Sequence, residues 1–534
     1  MTLFSLTLAG RRIRSAPRLS RLGMLAGAVV FLAAVPLVYV IYSSVALPPG
    51  KWLGLWNARL PQLLWNTLTL AFLVAAGCFA LGVSCAWLLA RRDFFGKQVA
   101  LWLLVLPLTI PTYVFAHIYT ELLDDDGWLG MAWHGLFGAD ARVPDLFNVF
   151  GVAVILSLAG FSYVFLLVRA ALMRSNQSLE NAARIHGASP REVFMRINLP
   201  LLRPAIAAGL AVVILHVLSD FGAVSMLRYQ TFTLSIYLQM SGRFDYQAAA
   251  GLSMVLVLLS MTFLVLERFF RSRQRYFCSA QSRLVEPRRA GVLEQVLIWT
   301  WLGIILLFAF VLPLAWMIHW SWQAWVDNHI NAEFWRYVRN TGVVSFTAAT
   351  IAVCAAFPIG LFHARNHSLL SHSYVQLSNV GFVLPGPVVA LGVISFVLAV
   401  VPILYGTFLA LILALVIRFL PLAVQAQEAA MQQLTPNIEQ AGRILGAGPF
   451  ENLWRVTLPM IRGGIVSAWV LVFIDVLKEL PATLLLRPIG FDTLPVRIWI
   501  EASEEMLELA APAALMLVIG TFPAIWVMMR GEKG

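Results

Sequence analysis

The sequence predicts an all-α polytopic membrane protein of about twelve transmembrane helices, arranged as two parallel six-helix repeats. Three observations carry this expectation. The 534 residues are 60% hydrophobic and only 12% charged, with a mean hydropathy of +0.80, whereas soluble domains average roughly 45–50% apolar and roughly 25% charged residues. Apolar runs of the length a helix needs to cross a bilayer recur, for example over residues 22–41, 99–119, 149–168 and 296–318. Finally, the segment Glu180-Asn-Ala-Ala-Arg-Ile-His-Gly-Ala-Ser-Pro190, closing on Leu199-Pro200, returns as Glu439-Gln-Ala-Gly-Arg-Ile-Leu-Gly-Ala-Gly-Pro449, closing on Leu458-Pro459. The offset is 259 positions throughout, so the chain holds two copies of one membrane unit.

In chain order, residues 1–22 form a basic tail with Arg11, Arg12, Arg14, Arg18 and Arg21. Residues 23–266 form the first repeat, with spans centred near Val30, Ala75, Leu106, Leu158, Val212 and Leu256. A basic linker over 267–291 carries Arg268, Arg271, Arg273, Arg275, Arg283, Arg288 and Arg289. The second repeat, 292–534, has centres near Leu306, Val353, Val388, Leu413, Leu471 and Met516. Glycine and proline inside these runs are tolerated where neighbouring helices satisfy the freed backbone. The copies also share Asn66-Thr67 with Asn340-Thr341, Ala90-Arg91 with Ala364-Arg365, and Leu106-Pro107 with Leu384-Pro385, at offsets larger than 259. Their internal loops therefore differ in length.

Orientation follows from the arginines. The positive-inside rule places the tail, the linker, the loop with Arg91, Arg92 and Lys97, and both repeated loops in the cytoplasm, with both termini. Asp124-Asp125-Asp126 then falls outside. An even number of spans separates the repeated loops, which makes the repeat parallel. The first apolar stretch is longer than a typical signal-peptide core and reads as an uncleaved anchor. Topology accounts for the net charge of +11 without a nucleic-acid partner. Cys78, Cys85, Cys278 and Cys354 have no metal-binding spacing, and the three in apolar spans read as packing residues. The chain contains no phosphate-binding GxxxxGK[ST] motif, and no HExxH or GxSxG, so neither ATP hydrolysis nor membrane hydrolase chemistry is indicated.

The repeated loop has a legible build. Residues 180–186 and 439–445 are mostly good helix formers, Gly187 and Gly446 interrupt them, and Ser189-Pro190 and Gly448-Pro449 open a second short helix. The expectation is a helix-turn-helix on the membrane face whose second helix turns upward into the next span at Leu-Pro. A connector would have no need to keep glycine, proline and arginine in register while its surroundings diverge.

This pattern resembles the EAA loop in the permeases of ATP-binding-cassette importers, whose short coupling helix seats in a groove of an ATPase subunit. Aligned on the glycines, the motif positions read Asn181-Ala182-Ala183 and Gln440-Ala441-Gly442, so an amide replaces the motif glutamate in both copies. The resemblance implies that Glu180 and Glu439, one position earlier, or the amides themselves take over the polar docking contact. It also implies the type I importer fold, two cytoplasmic ATPase subunits that use ATP and magnesium, and a periplasmic or extracellular substrate-binding protein. This chain, in the bacterial inner membrane and in contact with lipid, would itself bind no cofactor.

A finer resemblance runs through Leu106-Pro-Leu-Thr-Ile-Pro-Thr-Tyr113, Ser219-Asp-Phe-Gly-Ala223, Thr231-Phe-Thr-Leu-Ser-Ile-Tyr237, the stretch from Lys478-Glu-Leu-Pro481 to Pro488, and Phe491-Asp-Thr-Leu-Pro-Val-Arg497. These are similar to the fused permeases of ferric-iron importers. Relatives of that group carry thiamine, polyamines, sulfate or molybdate, which remain alternatives.

The residues themselves add a candidate path. At the 259 offset His216 pairs with Asp475, Ser219 with Lys478, and Asp220 with Glu479, which places polar side chains at equal depth in equivalent spans. Intramembrane ionisable groups usually face the bundle interior or a water-filled path, and carboxylates there suit a hard cation. A self-satisfied network, with Asp475, Lys478 and Glu479 paired along one helix face, is the structural alternative. An ion-coupled secondary transporter is the rival of another class, but it leaves the repeated Gly and Leu-Pro loops unexplained. Arg418 is read as a structurally paired cation inside its span.

Overall fold

The computed structural model describes residues 21–173, 180, 183–272, 287–366, 368–432, 436–504 and 506–531. Asn181, Ala182, Cys278 and most arginines of the tail and linker lie outside the described residues. The chain forms two compact units. One comprises Pro36–Thr347, Val383–Leu415 and Ile474–Gly534; the other comprises Met1–Val35, Ala348–Phe382 and Val416–Phe473.

Among the described residues, nine helices are long and apolar enough to cross a membrane, and they take in nine of the expected centres, from Val30 in Leu22–Val45 to Leu471 in Phe450–Leu477. Val388 and Met516 fall in shorter apolar helices, Gly386–Val400 and Leu509–Pro523. The centre at Leu106 needs correction. The single span expected over 99–119 is a broken pair, Lys97–Thr109 and Thr112–Leu122, bent by 94°. The cause is Pro111, which drives Ile110 before it into extended backbone and then opens the next helix.

That break also corrects the alignment of the copies. Pro385 caps Gly386–Val400 with φ −58° and ψ 152°, close to the −62° and 150° of Pro111 before Thr112–Leu122. The structural partner of Leu384-Pro385 is therefore Ile110-Pro111, not Leu106-Pro107. Its offset of 274 matches that of Asn66/Asn340 and Arg91/Arg365. By Val149–Met173 and Phe408–Gln432 the offset has fallen to 259, so the first copy carries 15 more residues between these points. They build the helix Trp128–Phe137, where the second copy has the short turn Pro402–Leu404.

In the larger unit, Leu60–Arg91 packs along Val149–Met173, and Leu199–Ser219 closes against both. The buried face of Leu60–Arg91 carries Leu63, Thr67, Leu70, Val74, Cys78, Gly82, Cys85 and Leu89, at helical spacing. Lipid is as apolar as leucine, so this association depends on close packing. At Gly82 a Cβ would meet the Phe161 carbonyl at 2.9 Å and Val164 Cβ at 2.8 Å. Gly82→Val should cost about 1–3 kcal/mol through overpacking, seen as lost monodispersity on mild heating in detergent; unchanged thermal stability would show that the helices can separate freely. Cys78 and Cys85 are buried as expected, but Cys354 is exposed on its helix and does not serve as packing.

Beyond Arg91 the chain makes a two-residue parallel bridge, Arg92–Asp93 with Arg288–Arg289. Arg92 also pairs with Glu294, and the Trp299 indole donates to the Phe95 carbonyl at 3.0 Å.

Candidate functional site

The repeated loops share one backbone design. Gly187 and Gly446 hold φ +82° and +88°. The Ala188 amide reaches back to the Ala183 carbonyl at 3.0 Å, and Ala447 to Gly442 at 3.1 Å, closing a Schellman-type helix end in each copy. A Cβ at either glycine would meet nothing within 4 Å, so backbone conformation alone selects glycine. Just before the glycines, Ile185 and Ile444 are 84% and 85% exposed. Two apolar side chains thus project at matching positions.

The second limb departs from expectation. No separate helix ends at Leu-Pro; Pro190–Val193 passes through a wide π-turn, Phe194–Asn198, directly into Leu199–Ser219. Pro449–Asn452 and Leu453–Thr457 repeat this before Leu458–Leu477. Pro200 and Pro459 lack the donor for a regular turn, and their rings crowd the carbonyl four residues back, which favours the wider turn. The same turn, Leu307–Val311, precedes Leu312-Pro313 elsewhere in the chain. In the first copy Ser189 and Glu192 add a reciprocal cap, with the Ser189 amide donating to the Glu192 carboxylate at 2.9 Å. Gly448 provides no such side chain.

Of the motif positions, Ala183, Gln440, Ala441 and Gly442 fall in helical backbone, as do Leu199 with Pro200 and Leu458 with Pro459. Glu439 lies in the helix Pro436–Ile444. Glu180 corrects an expectation. Its carboxylate accepts from Arg91, and both side chains are 7% exposed, so it is engaged within the chain and is not offered as a docking contact.

The candidate path residues divide into two groups. Asp220 and Glu479 are only 7% and 6% exposed. Asp220 Oδ1 accepts from the Ala223 and Val224 amides at 3.0 and 3.3 Å, the Thr112 hydroxyl donates to Oδ2, and the Thr233 hydroxyl donates to the Asp220 carbonyl. Glu479 accepts from the Ala482 amide at 3.1 Å. Both therefore cap the short helices that follow, Gly222–Met226 and Pro481–Leu486.

The second group is more accessible. The His216 ring lies 5.8 Å from that of Tyr163, which sits in the field of Asp475. Lys478 donates to the Leu108 carbonyl at 3.1 Å and is attracted by Asp475 one turn earlier. Ser219 bonds back to the His216 carbonyl. Arg418 stands over the Phe419 ring at 5.5 Å. Among the described residues no three His, Cys, Asp or Glu side chains gather as metal ligands.

Two constellations escaped sequence reasoning. Asn66 donates to the Gln230 carbonyl and Asn340 to the Asp492 carbonyl, each at 3.0 Å, so the shared Asn-Thr steps hold the entries to Phe232–Ser241 and Leu494–Ser503. The shared asparagine was visible, but nothing in the sequence named its acceptor. In the second copy alone, Arg487, Asp492, Arg497 and Glu501 form an ion-pair chain, and Arg497 sits over Tyr337 at 5.0 Å. The Arg497–Glu501 spacing of one helical turn was its only sequence signal.

Repeated loops that end in π-turns, each feeding an apolar helix followed by a short helix that a buried acid caps, define a two-fold repeated membrane component. The model of the binding-protein-dependent transport system inner membrane component matches the chain twice, over residues 78–276 and 356–530, and the chain belongs to this family. It is 33% identical over 494 residues to the Fe(3+)-transport system permease protein FbpB 2 of Haemophilus influenzae, covering 91% of this chain and 93% of that relative. It is 24% identical over 418 residues to the ferric transport system permease protein FbpB of Actinobacillus pleuropneumoniae, covering 74% of this chain and 60% of that relative. Among solved structures, a bacterial ABC transporter involved in alginate import aligns with 47% of this chain at 19% identity and a TM-score of 0.40.

Proposed function

We propose that this chain is the permease of an inner-membrane importer that passes ferric iron from a periplasmic or extracellular binding protein to the cytoplasm. The relatives named for Fe(3+) transport support the substrate. Energy comes from ATP and magnesium in two separate ATPase subunits, one on each repeated loop, and this chain has no ATPase site of its own. The matched exposure of Ile185 and Ile444 beside two left-handed glycine turns carries this reading, because an apolar knob on a defined turn suits a groove on a partner. The loops, the linker and both termini face the cytoplasm.

In this mechanism, closure of the ATPases on ATP moves both loops, and the π-turns pass that motion without interruption into Leu199–Ser219 and Leu458–Leu477. The path opens outward, cargo enters past Asp475, Tyr163 and His216, and hydrolysis resets the chain. ATP and cargo act only through their different affinities for the two states.

Ile185→Asp combined with Ile444→Asp should cut recovery of the ATPase with the tagged chain at least tenfold, while the chain stays monodisperse. Undiminished recovery would place the docking surface elsewhere.

A further inference from the structure

We infer that the Arg91–Glu180 ion pair is a positioning joint that locks the first coupling loop to one turn of the preceding span, and that Arg365 and Glu439 play this part in the second copy. The inference rests on the reading of the loops as ATPase-docking elements. Arg91 is the last residue of Leu60–Arg91, where a cation also favours the helix dipole. Its guanidinium holds Glu180, on the limb before Gly187, and lies 5.2 Å over the Trp87 ring one turn earlier. Trp87 in turn meets Phe194 edge-on at 4.8 Å, on the limb after Gly187. A single helical turn thus grips both limbs of the loop.

The sequence of the second copy offers the same charged residue types at the equivalent positions. Arg365 stands 274 positions after Arg91, and Glu439 stands 259 after Glu180. At the same offsets Trp87 becomes Leu361 and Phe194 becomes Leu453; Leu453 packs against the buried cluster of Leu361, Met431 and Ile461. An aromatic brace in one copy is therefore an aliphatic brace in the other, while the sequence keeps an arginine and a glutamate at the two charged positions. The next residue of the first copy, Arg92, ties to Glu294 at the start of the second repeat, so motion of the loop also reaches the linker. Rigid coupling needs such a joint, because a loop that swings freely on Gly187 would dissipate the motion of the ATPase.

The test uses the full complex with its ATPases and binding protein in proteoliposomes, with cargo transported per ATP hydrolysed as the readout. Arg91→Ala and Glu180→Ala should each still recover the ATPase yet lower transport per ATP at least tenfold. The exchange Arg91→Glu with Glu180→Arg should restore it to within about threefold. Single variants that couple like the parent, or an exchange no better than the singles, would overturn the joint. If the singles fail to accumulate, the exchange decides alone: parental accumulation and coupling support the joint, and loss of either overturns it. Failure of the parent chain itself to recover an ATPase would instead strike the underlying reading of the loops.

Discussion

Gly187→Val combined with Gly446→Val should abolish coupled transport while leaving the membrane helices intact. Both glycines hold left-handed backbone, and the space around each missing Cβ is open, so the substitution acts through φ alone. For an L-residue this conformation costs roughly 1–2 kcal/mol, and a β-branched side chain fits it worst. At 1.4 kcal/mol per factor of ten, two strained loops disfavour the docked state by about two orders of magnitude. Transport into proteoliposomes should fall accordingly, with helical content unchanged by circular dichroism. Normal transport by the double variant would remove the argument that the turn conformation is the coupling element.

Asp220→Ala should destabilise the chain by about 3 kcal/mol, because it leaves the Thr112 hydroxyl and two buried amides without their acceptor, at about 1–3 kcal/mol for each buried group stranded. Asp220→Asn keeps an oxygen for the helix cap, so it should retain most of both stability and transport. Glu479→Gln is expected to behave in the same way at the Ala482 amide. If Asp220→Asn instead kept full stability and lost transport, the carboxylate charge would be serving the cargo, and the capping account would be wrong. Asp475→Asn, in the accessible group, should by contrast lower transport with little change in stability.

The class of fold was legible because its signals are local and repeated. Apolar runs marked the spans, and a 259-residue echo marked the copies. What stayed hidden depends on which side chains meet across long separations. The Asp220/Glu479 pairing is visible in the sequence, but the same spacing suits a path lining or a helix cap, and the capping bonds from the Ala223 and Ala482 amides appear only in the fold. Arg91 was noticed as a shared step, yet its partner lies 89 residues away. The break at Pro111 was concealed inside an unbroken apolar run, since hydropathy does not register the direction of a helix. The π-turns were equally invisible, although a proline after leucine is their local cause.

The measurement that bears most directly on the central claim is recovery of the tagged chain from native membranes, followed by ATPase assay of the complex with iron-loaded binding protein. The account predicts that two ATPase subunits are recovered with each chain, and that hydrolysis rises when the iron-loaded binding protein is added. A chain that purifies alone and transports cargo under an ion gradient would contradict it.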